Sequence, residues 1–149
     1  MNNLQVKFIR KFLEYYSPTH RCKYNNKVPL INPTGVVAPV GLILPHHMMS
    51  SIQNNILESN NPDIRNNGLE FFNVLNYLAS TNQTFAIKLL NNYNFDFLNH
   101  TDNLHANDLC WNIDYKISQP RLYKLTKIGI SYLRYIIDMT RRDNGMHSF

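Results

Sequence analysis

The sequence has 149 residues, of which 44% are hydrophobic and eighteen are aromatic. This composition fits one domain, residues 1–149, with a buried core, and it excludes a disordered chain. No run of eighteen apolar residues exists, which excludes a membrane-spanning helix, and the charged N-terminus is unlike a signal peptide. Because two distant cysteines do not make a disulfide framework, we expect an intracellular, cytoplasmic protein without membrane association.

Charge divides the chain into three blocks. The formal net charge of +5 arises from +5 in residues 1–28, −5 in residues 29–114 and +5 in residues 115–149. Chain termini often lie close together in compact domains, so the two basic blocks are expected to meet. One basic face would suit a polyanion, whereas the alternative is ordinary solvated charge.

Hydrophobic spacing predicts mainly helical structure in the first two thirds of the chain. The predicted elements are an amphipathic helix over 4–16 that stops at Ser17–Pro18, a buried extended segment over Val36–Leu44, a short helix over Met48–Leu57, a central buried helix over Leu69–Ala79, and a helix over 82–91 behind a Ser-Thr-Asn-Gln capping pattern.

A β-hairpin is predicted near the C-terminus. After a polar loop at 100–108, two strands, Leu109–Ile117 and Arg121–Leu125, would flank a Ser-Gln-Pro turn. A last helix is predicted from Lys127 to about Thr140. The predicted fold class is therefore mainly α with a small β-hairpin.

Residues 114–133 end in the motif Leu-Thr-Lys-x-Gly-x-x-Tyr-Leu. This stretch resembles the junction between the wing and the last helix of winged-helix DNA-binding domains. The resemblance implies a winged-helix-like single domain and a small nucleic-acid-binding protein that regulates transcription. Thr126 is expected to cap the last helix, and Gly129 to let that helix lie close against the strand.

Basic side chains at both ends of the chain are the predicted nucleic-acid-binding residues, because Lys and Arg contact phosphates. They are Lys7, Arg10, Lys11, Lys116, Arg121, Lys124, Lys127 and Arg134. The segment before the hairpin, residues 91–108, carries acids and reads as a loop. It is therefore unlike the recognition helix that a winged-helix domain places there.

Two other functions remain open. A protein-interaction module would use the acidic middle, including Asp96, Asp102 and Asp108, to bind and inhibit a host or partner protein. A small hydrolase would use the His100–Cys110 region, which holds two His, a carboxylate and a thiol without a familiar ligand spacing. We expect no enzyme activity, no metal and no cofactor. The expected partner is nucleic acid or a protein, and the chain could also form a homodimer.

The first half of the chain combines a leading helix, the element Cys22-Lys-Tyr24 and the segment Gly-Val-Val-Ala-Pro-Val-Gly-Leu-Ile-Leu-Pro at 35–45. Residues 4–80 are thereby similar to a group of small phage-borne proteins of undetermined function. Those proteins have a second cysteine where this chain has Ala38. The resemblance implies a phage or mobile-element protein that acts on a host component, and it implies no chemistry.

Overall fold

Seven α-helices dominate the computed structural model, which describes residues 1–146 and the side chains of residues 1–144. The helices are α1 (Asn3–Tyr15), α2 (His46–Leu57), α3 (Pro62–Asn67), α4 (Phe71–Thr81), α5 (Gln83–Tyr93), α6 (Phe95–Ala106) and α7 (Lys127–Met146). Short 3-10 turns cover Pro39–Leu42, Asp108–Cys110 and Arg121–Lys124. Within residues 1–146 there is no β-strand, only isolated bridges between single residues.

The helices fall into two compact units, and the division lies within α5. Unit 1 comprises Met1–Arg21 and the chain from Asn92 onward, and it contains α1, α6 and α7. Unit 2 comprises Cys22–Asn91 and contains α2, α3, α4 and most of α5. A single domain over 1–149 stays a prediction, because two compact units can unfold together as one domain.

Helix α1 begins and ends where the sequence predicts. The Asn2 side chain accepts a hydrogen bond from the Gln5 amide at 2.8 Å, and the Gln5 side chain accepts one from the Asn2 amide at 3.0 Å. This reciprocal cap satisfies two amides that the first turn leaves unpaired. The helix ends before Ser17–Pro18, because proline disfavours helical geometry in the preceding residue. The predicted amphipathic helix is confirmed.

Helix α6 occupies a segment that the sequence predicts to be a loop, so that prediction is wrong. Asn94 caps the helix, since its side-chain oxygen accepts from the Asp96 amide at 2.8 Å. The buried face of α6 consists of Phe97, Leu98, Thr101, Leu104 and His105. Their spacing is helical, but two of the five are polar, which interrupts the hydrophobic periodicity that indicates a helix.

Helices α1 and α6 lie parallel in unit 1, as two ring contacts show. The ring centroids of Phe8 and Phe97, in the first halves of α1 and α6, are 5.5 Å apart, and those of Tyr16 and His105, at the ends of the two helices, are 4.5 Å apart.

Helix α7 runs antiparallel to α1. Gln5 near the start of α1 accepts a hydrogen bond from Asn144 near the end of α7, at 3.2 Å. At the other end, Lys124, three residues before α7, donates to the Leu13 carbonyl at 2.7 Å. Unit 1 is therefore a three-helix arrangement with α7 opposed to its two neighbours.

The start of α7 confirms two local predictions. The Gly129 amide donates to the Thr126 hydroxyl at 3.2 Å, so Thr126 caps the helix. A Cβ atom at Gly129 would overlap the Cys110 carbonyl, so glycine permits the close approach. The neighbour is a 3-10 turn and not a strand. The helix also continues to Met146, past its predicted end near Thr140.

The predicted β-hairpin does not form in the described residues, and the winged-helix-like fold class is therefore wrong. A single bridge joins Trp111 to Leu125. Between them, the Asn112 side chain accepts from the Asp114 amide at 3.1 Å, and the Gln119 side chain accepts from the Lys116 amide at 3.0 Å. These local bonds occupy amides that a strand ladder would need, and the chain turns instead.

Unit 2 contains the three helices that the sequence predicts within it, α2, α4 and α5. The Asn82 side chain caps α5 by accepting from the Phe85 amide at 3.1 Å. The segment Val36–Leu44 is largely buried, but it ends in a 3-10 turn and is not extended throughout. Helix α4 is amphipathic and not buried all round, because the Phe72 side chain is 58% exposed.

Candidate nucleic-acid interface

The outer face of α1 carries three of the predicted cations. Lys7, Arg10 and Lys11 are all exposed, on the side of the helix opposite the buried residues Phe8 and Phe12. In the described part of the chain, neither Lys7 nor Arg10 forms an ion pair. The packing of the apolar stripe into the core therefore turns the basic stripe toward solvent.

The outer face of α7 carries a second basic stripe. Lys127, Arg134 and Arg141 are exposed and follow one another at seven-residue intervals, opposite the buried positions Leu133 and Ile136. Seven residues are nearly two helical turns, so successive cations stand about 10 Å apart along the helix axis. Arg141 was missed as a site residue, although its seven-residue spacing from Arg134 could have revealed it.

The two basic helices lie in the same unit, as the charge blocks predict. Each helix nevertheless turns its cations away from the core that they share. What unit 1 presents is therefore a basic stripe on each of two antiparallel helices. Both stripes consist of long, flexible side chains that can follow a phosphate backbone.

Two predicted binding residues have partners within unit 1. The Arg121 guanidinium lies 2.8 Å from the Glu14 carboxylate, and both side chains are largely exposed. Lys124 is only 8% exposed, and its ammonium donates to the carbonyls of Leu13 at 2.7 Å and Tyr16 at 3.0 Å. Burial lowers the pKa of Lys124, and the nearby Arg121 lowers it further. Because this ammonium already donates hydrogen bonds within the protein, we leave Lys124 out of the interface.

The last predicted residue, Lys116, is exposed in an ordered loop. This segment, residues 112–124, is named the 112–124 loop. Its ends are joined by the Asn112 amide, which donates to the Lys124 carbonyl at 2.9 Å. Ile113 and Ile117 in the same loop are 86% and 95% exposed. These two residues are absent from the sequence-predicted site, because a hairpin would have placed them in paired strands.

The acids of the protein-interaction alternative do not share one surface. Asp108 lies 2.6 Å from Arg21 in an ion pair. Asp96 is exposed in the first turn of α6, and Asp102, six residues later, lies about 120° away around the helix axis. A basic partner therefore could not contact all three acids with one surface.

The His100–Cys110 region is packed into unit 1. His100 Nδ1 lies 2.6 Å from the Tyr132 hydroxyl, and the His105 ring is fully buried. Burial also raises the pKa of the Cys110 thiol, which is 1% exposed. The thiol is thus protonated near neutral pH and shielded from a substrate. Among residues 1–146, no three His, Cys, Asp or Glu side chains group to hold a metal ion.

None of the helices described over residues 1–146 combines the length and the apolar character needed to cross a membrane. No protein-family model, curated protein or solved structure matches this chain.

Proposed function

We propose that unit 1 binds nucleic acid through its phosphate backbone, using the outward cations of α1 and α7. The observation that carries this proposal is the exposed row Lys127, Arg134 and Arg141 on α7. Three cations in one line along about 20 Å of helix form a track for a polyanion, whereas scattered surface lysines do not. Lys7 and Arg10 on α1 add a second track in the same unit.

The chemistry favours backbone contacts over the reading of bases. Lysine and arginine on an exposed helix face can neutralise phosphates of any sequence, and the released counterions drive binding. Base readout instead requires side chains held in a fixed geometry against base edges. The outward positions of α7 include Asp138 between Arg134 and Arg141. Its carboxylate would repel the phosphates if α7 were inserted deeply into a groove of the duplex. We therefore propose binding that is largely independent of sequence.

Fluorescence anisotropy with a labelled 30-base-pair duplex would test the proposal. We expect the logarithm of the affinity to fall linearly with the logarithm of KCl concentration, by about 0.9 per phosphate neutralised. The triple variant Lys127→Gln, Arg134→Gln and Arg141→Gln should reduce that slope by about 3 if each cation contacts one phosphate. The weakening should be the same for duplexes of unrelated sequence.

A matched control comes from unit 2. Arg65 and Lys88 are exposed there, so the double variant Arg65→Gln and Lys88→Gln removes the same charge as Lys7→Gln with Arg10→Gln. Only the α1 pair should lower the affinity and the salt slope. The proposal fails if the wild-type chain does not bind the duplex at 50 mM salt, or if the unit 2 variant weakens binding as much as the α1 variant.

The role that we propose is binding and not hydrolysis, since the Cys110 thiol and the His105 ring are buried. A nucleic-acid-binding chain with two buried free cysteines, Cys22 and Cys110, suits the reducing interior of a cell. We therefore place the protein in the cytoplasm, away from membranes. The corresponding function is that of a regulatory protein that acts by binding to nucleic acid.

A further inference from the structure

The 112–124 loop exposes two isoleucines that a surface loop would not normally carry. Ile117 is 95% exposed and Ile113 is 86% exposed, the two most exposed of the large hydrophobic residues that the structure describes. Leaving apolar side chains in water is unfavourable. Leu122 and Tyr123 in the same loop are also exposed, and several exposed apolar side chains in one short segment are typical of a binding site.

The loop presents these side chains on a preformed turn. The Gln119 amide donates to the Lys116 carbonyl at 2.9 Å, and the Lys116 amide donates to the Gln119 side-chain oxygen at 3.0 Å. Ile117 lies within this closed turn. At the base of the loop, the Asn112 side chain donates to the Tyr123 carbonyl at 3.0 Å. Little conformational entropy would be lost when such a turn binds a ligand.

An exposed cation, Lys116, is the chain neighbour of Ile117. Lys127 is exposed ten residues further along the chain, Arg121 is exposed but paired with Glu14, and Asp114 is the only acid between residues 112 and 128. The ligand that fits is therefore anionic outside and apolar inside. Duplex DNA has this character, because phosphates line its grooves and stacked bases form its interior. Proteins that kink DNA insert an isoleucine, leucine or similar wedge between base steps.

We propose that the 112–124 loop inserts Ile117 between base pairs of duplex DNA, with Ile113 packed beside it, and that the bound duplex is kinked. This inference rests on the proposed function and deepens it, because it names duplex DNA as the ligand and a kink as the result. Lys116 contacts a phosphate next to the opened base step.

Bending can be measured by energy transfer between dyes at the two ends of a 30-base-pair duplex. Wild-type protein should shorten the distance between the dyes, whereas Ile113→Ser with Ile117→Ser should bind and leave the duplex straight. A duplex with a two-nucleotide bulge is already opened, so wild type should bind it about tenfold more tightly than the intact duplex. That preference should vanish in the double variant. Ile87→Ser, at an exposed position of unit 2, is the matched control and should retain both effects.

Each outcome has one meaning. If wild type does not bind DNA at low salt, the proposed function fails. If it binds but neither bends DNA nor prefers the bulge, or if the double variant still bends DNA, the wedge fails and backbone binding stands. Sedimentation of the DNA-free protein provides a further check. A wild-type dimer that becomes monomeric with Ile117→Ser would make the loop a contact between copies and overturn the wedge. Circular dichroism and urea unfolding should confirm that the serine variants fold.

Discussion

Lys124 holds the end of α1 in place, because its ammonium donates to the carbonyl oxygen of Leu13 at 2.7 Å. The Tyr16 carbonyl accepts a second bond from the same ammonium at 3.0 Å. The last carbonyls of a helix have no partner within the helix, and a cation there also interacts favourably with the helix dipole. A lysine that the sequence places in a nucleic-acid-binding hairpin is thus a helix cap supplied from more than a hundred residues away.

Replacing Lys124 by methionine should destabilise the protein and leave the salt dependence of DNA binding unchanged. The substitution leaves two carbonyls short of a donor, which costs about 1–3 kcal/mol. Urea unfolding followed by circular dichroism measures this loss. Lys116→Met is the matched control: its exposed side chain should matter for stability by less than about 0.5 kcal/mol. Its DNA-binding slope should instead fall by about 1. If the two variants exchange these effects, Lys124 belongs to the interface after all.

Gly129→Ala should destabilise unit 1, although alanine is the better helix former. A Cβ atom at this position would overlap the Cys110 carbonyl, and relieving the overlap requires the 3-10 turn to move away from α7. Overpacking of this kind costs about 1–3 kcal/mol, against roughly 1 kcal/mol gained in helix propensity. Ser131→Ala, exposed on the same helix, has only the propensity gain. A higher melting temperature for Gly129→Ala than for wild type would contradict this packing.

The sequence predicts α1, α2, α4, α5 and α7 because each has an uninterrupted apolar stripe or a clear capping residue. It misses α6 because Thr101 and His105 occupy core positions of that helix. Thr101 satisfies its hydroxyl with the Leu98 carbonyl at 2.9 Å, so a polar residue can lie in the core. That bond depends on the folded backbone, and hydrophobic periodicity cannot register it.

The hairpin prediction fails for a different reason. Alternation of apolar and polar residues indicates a strand only if a partner strand is available, and pairing is a property of the fold. Asn112 and Gln119 bind local amides instead, at 3.1 and 3.0 Å. The sequence shows which residues are basic, but only the structure shows which of them are exposed, paired or buried. Lys7 faces solvent, Arg121 has an acidic partner and Lys124 is buried.

Asn94 should tolerate glycine better than alanine. Its φ is +70°, in the left-handed region, and its side chain caps α6. Alanine loses the cap, at about 1 kcal/mol, and also suffers left-handed strain of roughly 1–2 kcal/mol. Glycine has no such strain and costs only a few tenths of a kcal/mol as a cap. Urea midpoints should therefore follow the order asparagine, glycine, alanine. An alanine variant as stable as the glycine variant would mean that α6 does not begin at this strained cap.

Stability should decline at alkaline pH, partly through Cys110. Burial raises the pKa of this thiol above its ordinary value of 9.0. As pH rises past that value, the unfolded chain loses the thiol proton first, so the free energy of unfolding falls. Cys110→Ala should therefore flatten the decline between about pH 8.5 and 9.5, below the ordinary tyrosine pKa of about 10, whatever its effect at neutral pH. An unchanged slope in urea unfolding across this range would show that the thiol does not titrate differently on folding.

Glu14→Gln should strengthen nucleic-acid binding with little effect on folding. The carboxylate lies 2.8 Å from Arg121, but both groups are largely exposed, so the ion pair contributes at most about 1 kcal/mol to stability. Glu14 is also the only acid on α1, next to the outward cations Lys7, Arg10 and Lys11.

The Glu14→Gln substitution frees Arg121 from its ion pair and removes the repulsion between the Glu14 carboxylate and the phosphates. The affinity for duplex DNA at low salt should therefore rise by up to about fivefold, since one charge pair at 4 Å in water is worth about 1 kcal/mol. Asp138→Asn, between the arginines of α7, should act in the same direction, whereas Glu58→Gln in unit 2 should not. Because the effect is electrostatic, it should shrink as salt rises. Equal affinities of the Glu14 and Glu58 variants across the salt series would place the bound phosphates away from α1.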